Sequence, residues 1–171
     1  AVAYVMMAFR IAWFKVYHPL AFYAAYFSIR AKAFDLRIMT GDLKTQMTEF
    51  NRIKALDRAA SPKDKDLMSA LEVSMEMYQR GYRFINVDIQ HSEARRFSIK
   101  DGALLPPFLA IDSLGETVAD AIVAEREERP FTSLKDLQRR CKVSNTIIDL
   151  MKELKCCGEL PEDEQMSLFG A

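Results

Sequence analysis

"IDSLGETVADAIV", residues 111–123, changes character in its middle. Ile111 is apolar, Asp112 and Ser113 are turn formers, and Gly115 lets a backbone turn sharply and approach a neighbour closely. From Glu116 onward small and apolar residues recur at helical spacing, with Val118, Ala121 and Ile122 on one face. The pattern is a helix–hairpin–helix. N–H groups at the start of the second helix of such a unit point outward, and the helix dipole favours an anion there, so a phosphate can be held. Contacts of that kind position a protein on DNA without reading its sequence. An ordinary turn between two packed helices satisfies the same residues. The DNA reading gains from the downstream segment: residues 133–154 form a second helix, turn and helix, with Arg139, Arg140 and Lys142 at the turn. Two such units would place two phosphate sites along one duplex. The candidate DNA contacts are therefore Leu114, Gly115, Glu116, Thr117, Val118, Arg139, Arg140 and Lys142. The second turn, "CKVSN", has no glycine, which leaves packing as its alternative role.

The rest of the chain frames these hairpins. Ser133 and Asp136 open the helix that holds Leu134, Leu137 and Cys141, and Ser144 opens the one that holds Ile147, Ile148, Met151 and Leu154. Helices this short are marginal alone and must pack as a cluster. Upstream, "RFINVDIQ" (83–90) alternates, with Ile85, Val87 and Ile89 to one side, and "RFSIKDGALL" (96–105) alternates around Asp101-Gly102, a tight-turn signal. Arg95, Arg96 and Lys100 make a basic patch on this β element, equally readable as a solvated face. Ser61, Pro62 and Asp64 start a helix with Leu67, Leu71, Met75 and Tyr78 on one side, stopped by Gly81. Asp42 caps another, with Leu43, Met47, Phe50 and Ile53 inside. Residues 1–17 and 19–33 read as two helices, Pro19 lying in the first turn of the second. The expected fold is mainly α with a small β-hairpin element. Its expected parts are helices over 1–60, a capped helix and β element over 61–106, a tandem helix–hairpin–helix domain over 107–160, and an extended tail over 161–171.

Composition narrows the function. Half of the 171 residues are hydrophobic, enough for a sizeable core, and 24 Lys and Arg balance 24 Asp and Glu. Zero net charge argues against a protein coated in nucleic acid and leaves room for one basic face. Three cysteines without a C-x-x-C give neither a disulfide framework nor a zinc site, which suggests a reducing, cytoplasmic compartment. No P-loop, G-x-S-x-G, H-E-x-x-H or framed pair of carboxylates is present. Half of the aromatic residues fall between Tyr4 and Phe27. A helix so apolar on all sides is usually buried in a larger protein, and Arg10, Lys15, His18 and Pro19 interrupt it too early for a membrane span. It opens in mid-pattern without a cap, so the chain is expected to be a fragment. Tyr4 and Arg10 could meet a nucleotide, with core packing as the alternative. At the other end, "LPEDEQMSLFGA" (160–171) puts Met166, Leu168 and Phe169 behind a run of acids, where so short a segment cannot bury them on its own.

Three stretches in collinear order, "AVAYVMMAFRIAWFKVYHPLAFYAAYFSIRAKAFD", "LLPPFLAIDSLGETVADAIV" and "LPEDEQMSLF", resemble the C-terminal portion of PolC-type bacterial DNA polymerase III α subunits. The resemblance implies the closing helices of a fingers domain, entry into a tandem helix–hairpin–helix duplex-binding domain, and a terminal motif for the sliding clamp. Gln165, Ser167, Leu168 and Phe169 match that motif residue by residue, with Met166 at its variable apolar second place. It also implies DNA-templated DNA synthesis by a parent enzyme, using magnesium held by palm aspartates that this chain lacks. No cofactor is expected here. The expected partners are double-stranded DNA, the clamp (β subunit) and the remainder of the polymerase, with no membrane. A free-standing DNA-binding adaptor or repair-nuclease module with a clamp-binding tail is the alternative. Ser113 stands where the hairpin often has its first glycine, and "KCCG" (155–158) departs from the expected apolar, glycine-rich close.

Overall fold

Capping residues set most of the helix boundaries. The structure, a computed structural model, describes residues 1–30 and 33–163. It contains α1 (Val2–Tyr17), α2 (Pro19–Ile29), α3 (Leu36–Met39), α4 (Leu43–Leu56), α5 (Pro62–Gln79), β1 (Ser98–Lys100), β2 (Ala103–Leu105), α6 (Glu116–Glu128), α7 (Leu134–Cys141) and α8 (Asn145–Glu153). The fold is thus mainly α with one small antiparallel sheet. Asp42 accepts from the Thr45 N–H at 2.8 Å. Ser61 and Asp64 form a reciprocal capping box around Pro62. Gly81, at φ 86°, takes the left-handed position past α5, and the Tyr82 N–H returns to the Met77 carbonyl.

The hairpin forms as its sequence predicts. Ser98 pairs with Leu105 and Lys100 with Ala103, and Asp101 and Gly102 both take positive φ, 52° and 74°, as a type I′ turn requires. Residues 83–90 do not form the expected strand. They make one isolated bridge, Phe84 to Leu104. Then Asp88 folds the chain into a turn, its carboxylate accepting from the Gln90 N–H and its own N–H donating to the Ser92 hydroxyl. Phe84 is buried while Ile85 is only half-buried. Two further expectations shift. The second helix ends at Ile29, short of 33. On α4, Met47 is exposed and Gln46 is buried in its place, its amide donating to the Met39 carbonyl and its oxygen accepting from Ser74.

The core is one continuous cluster. Phe27 meets Phe84 at 4.9 Å and Phe97 at 5.8 Å between ring centres. The cluster runs on through Leu104 and Phe108 to Ile122, Leu137, Met151 and Cys156. α1 stands apart from it. None of its residues is buried, and Tyr4 is 80% exposed. It is tied down at its end by Lys15, which pairs with Glu76 at 2.5 Å and lies over the Phe22 ring. No described helix is long and apolar enough to cross a membrane.

Candidate nucleic-acid interface

A single 3-10 turn, Phe108–Ala110, leads into the first hairpin where a longer helix would be expected. The Leu114 N–H closes a turn onto the Ile111 carbonyl at 3.2 Å, and Leu114 is buried, anchoring the loop. The left-handed residue of this turn is Ser113, at φ 63°, and not Gly115. Gly115 is the N-cap of α6 at φ −75°, ψ 156°, an ordinary extended conformation, and no side chain caps this helix. A Cβ placed on Gly115 would meet nothing within 4 Å. Nothing among the described residues therefore demands glycine at 115, and its missing side chain leaves the backbone open to something outside. Glu116 and Thr117 are exposed on the first turn, Val118 is half-buried, and the inward face is carried by Ala119 and Ile122. An open cleft of about 520 Å³ lies beside the hairpin, with Ile111 and Leu114 on one wall, Leu36 and Leu67 on another, and Arg37 and Lys63 among its polar residues.

The second hairpin repeats the backbone of the first. Lys142 is left-handed at φ 54°, Val143 is buried, and Ser144 is the extended N-cap of α8 at φ −71°, ψ 156°. The order matches Ser113, Leu114 and Gly115 position for position. Here the Ser144 hydroxyl accepts the Ile147 N–H, so a side chain answers one of the donors that Gly115 leaves uncapped at α6.

The three cations of this turn separate. Arg139 is 71% exposed and Lys142 is exposed. Arg140 turns inward, with only 11% of its side chain exposed. It bonds Glu125 at 2.9 Å, the Arg129 carbonyl at 3.0 Å and Asp136 at 3.3 Å, and lies over the Phe131 ring. Asp136 is the hub. Its carboxylate is fully buried and accepts from Arg129, Arg139, Arg140 and the Thr132 N–H. Burial raises its pKa, and the Thr132 N–H with Arg139 and Arg140 more than offsets that, holding it below the ordinary 3.8.

Sequence reasoning missed two features. Glu162 and Asp163 of the tail are exposed, as a run of acids should be, yet they are held against the fold. Residues 161–163 lie as a strap across the start of α7: the Leu134 and Lys135 N–H groups donate to the Pro161 and Glu162 carbonyls at 2.9 and 3.2 Å, Lys152 pairs with Glu162, and Lys135 with Asp163. Arg95, on sequence grounds one member of a basic patch, bridges Glu116 and Asp120 on α6. Tyr4 and Arg10 lie on the exposed α1. Gln165, Met166, Ser167, Leu168 and Phe169 lie outside the described residues. The cysteines are buried, and burial pushes the Cys156 thiol up to about 12 and Cys141 to about 11. Among the described residues no group of histidines, cysteines and carboxylates could hold a metal.

Two left-handed turns, each followed by a buried aliphatic residue and a helix cap, lie within residues 81–165, which match the family described as the helix-hairpin-helix motif. The wider similarity is to polymerases. Over 99% of its length the chain is 47% identical to the DNA polymerase III PolC-type of Caldanaerobacter subterraneus subsp. tengcongensis. It is 48% identical to the protein of that name from Streptococcus suis and 45% identical to that from Streptococcus pyogenes, again over 99% of the chain. The chain spans 12% of the length of each of these relatives.

Proposed function

We propose that this chain is the duplex-gripping and clamp-tethering end of a PolC-type replicative DNA polymerase. The observation that carries the reading is the collinear similarity to PolC-type polymerases over 99% of the chain, with two matched hairpins inside it. The parent activity is DNA-templated DNA synthesis. The magnesium ions it uses find no fitting donor set among the described residues. In this reading α1, apolar and exposed along its length, packs against the remainder of the polymerase. The hairpins hold phosphates with the backbone at 114–118 and with Arg139 and Lys142, while Arg140 fixes the shape of the second unit.

The chain should bind duplex DNA weakly and without sequence preference, with a salt slope on the order of −2 to −4 for a few phosphate contacts. Gly115→Val keeps an accessible backbone conformation and its Cβ meets no described neighbour, so it leaves the fold in place while blocking backbone approach. Affinity should fall about 10- to 100-fold at every sequence alike, since a hydrogen bond to a charged group is worth roughly 1.5–3 kcal/mol. Fluorescence anisotropy with unrelated duplexes measures this, and unchanged affinity excludes the hairpin as the contact.

The clamp reading rests on Gln165, Met166, Ser167, Leu168 and Phe169, with Leu168 and Phe169 as anchors in an apolar pocket of the clamp. A peptide of residues 161–171 should bind a bacterial sliding clamp at roughly micromolar Kd, because it must order itself on binding. Calorimetry should show saturable binding that Leu168→Ala with Phe169→Ala abolishes. Equal affinity of both peptides, or none of either, removes the tail as the tether.

A further inference from the structure

We infer that Arg95 is a phosphate contact beside the first hairpin, a guanidinium fork held in place by Glu116 and Asp120; the inference rests on the duplex-binding reading. Arg95 reaches α6 from the loop between α5 and β1, which is built into the hairpin: the Phe108 and Leu109 N–H groups donate to the Glu93 and Ala94 carbonyls at 2.9 and 3.0 Å. The backbone that carries Arg95 is thereby fixed to the turn that leads into Ile111–Gly115.

The side chain is fixed as well. Its Nη1 donates to Glu116 at 2.7 Å, its Nε to Asp120 at 3.1 Å, and its Nη2 to the second Asp120 oxygen. A guanidinium carries five N–H groups. Three are taken, and one remains on each terminal nitrogen. The side chain is 49% exposed, so the guanidinium is not shut inside the fold. Their position matters because Glu116 directly follows Gly115, which puts the fork next to the proposed phosphate position. Two carboxylates one helical turn apart repel each other and any phosphate, and Arg95 offsets part of each effect, since its single positive charge answers one of the two negative ones. Holding the guanidinium before DNA arrives also lowers the ordering cost of contact. Arg140 is the contrast: its fork is used up inside the fold. A surface ion-pair network with no further role would leave DNA binding untouched.

The test is duplex binding of the full chain across a salt series, with thermal unfolding as the check on folding. Arg95→Gln should weaken binding severalfold and make the salt slope shallower by about 0.9, the signature of one lost phosphate contact. Arg95→Lys should keep the slope and lose part of the affinity, because a lysine supplies the charge without the fork. A loss that disappears in a Glu116→Gln, Asp120→Asn background would mean that Arg95 only masks the acids, and would overturn the inference. So would an unchanged slope in Arg95→Gln while the unsubstituted chain binds. No salt-dependent duplex binding by the unsubstituted chain overturns the duplex reading and this inference together.

Discussion

Asp136→Ala destabilises the chain by about 3–5 kcal/mol, the range for removing one partner of a buried ionic network. The carboxylate is wholly buried, and Arg129, Arg139, Arg140 and the Thr132 N–H converge on it. Without it, the nearly buried Arg140 keeps Glu125 as its charged partner among the described residues, and the Thr132 N–H loses its bond to this carboxylate. Urea unfolding at neutral pH reads the loss, and a change under about 1 kcal/mol, the worth of an exposed pair, would show that the network is not a buried one. The same group sets an acid limb. Its folded-state pKa lies below 3.8, its ordinary value. The stabilisation is therefore fully present above that value and is lost as pH falls through the folded pKa. Asp136→Asn should unfold with a flatter acid limb than the unsubstituted chain.

Phe27→Ala should cost about 3–5 kcal/mol by opening a cavity. Phe27 is 0% exposed, and its ring touches those of Phe34, Phe84 and Phe97. These neighbours come from the segment before α3, from the bridge residue beside β2 and from the approach to β1, so the ring joins the N-terminal helices to the sheet. Because the buried cluster continues from there to Cys156, the loss should shift the whole unfolding transition. Two transitions, with only the first moved, would show that the helices before the sheet unfold separately from the hairpins.

What could be read in the residues was local chemistry. Ser61-Pro62-Asp64, Asp101-Gly102 and Ser133-x-x-Asp136 each carry their own hydrogen-bonding instructions, and each forms as read. What could not be read depended on partners distant in sequence. Arg140 looks like Arg139 and Lys142 until Glu125 and Phe131 are brought beneath it. Ser113 gives no sign that it takes a left-handed conformation, since serine reaches it only under the constraint of the buried Leu114 on one side and Ile111 on the other. Alternation over 83–90 looked like a strand because burial of Phe84, Val87 and Ile89 can be met by an irregular segment. Of the candidate site, the hairpin at 111–118 was plain in the sequence and its charge arrangement was not.

For the tether proposed above, the strap at Pro161–Asp163 sets how much slack lies between the hairpins and a partner held by Gln165–Phe169. With Asp163 fastened to Lys135, two Cα steps of 3.8 Å confine Gln165 to within roughly 7 Å of that point. Unfastened back to Leu160, the leash grows to five steps, roughly 17 Å at full extension. The volume swept rises by about an order of magnitude, and local concentration falls in proportion. Both ion pairs that fasten it are exposed, so salt loosens them, while the Leu134 and Lys135 N–H groups still hold the Pro161 and Glu162 carbonyls; for the proposed tether, salt therefore frees the leash back to Glu162 and no further.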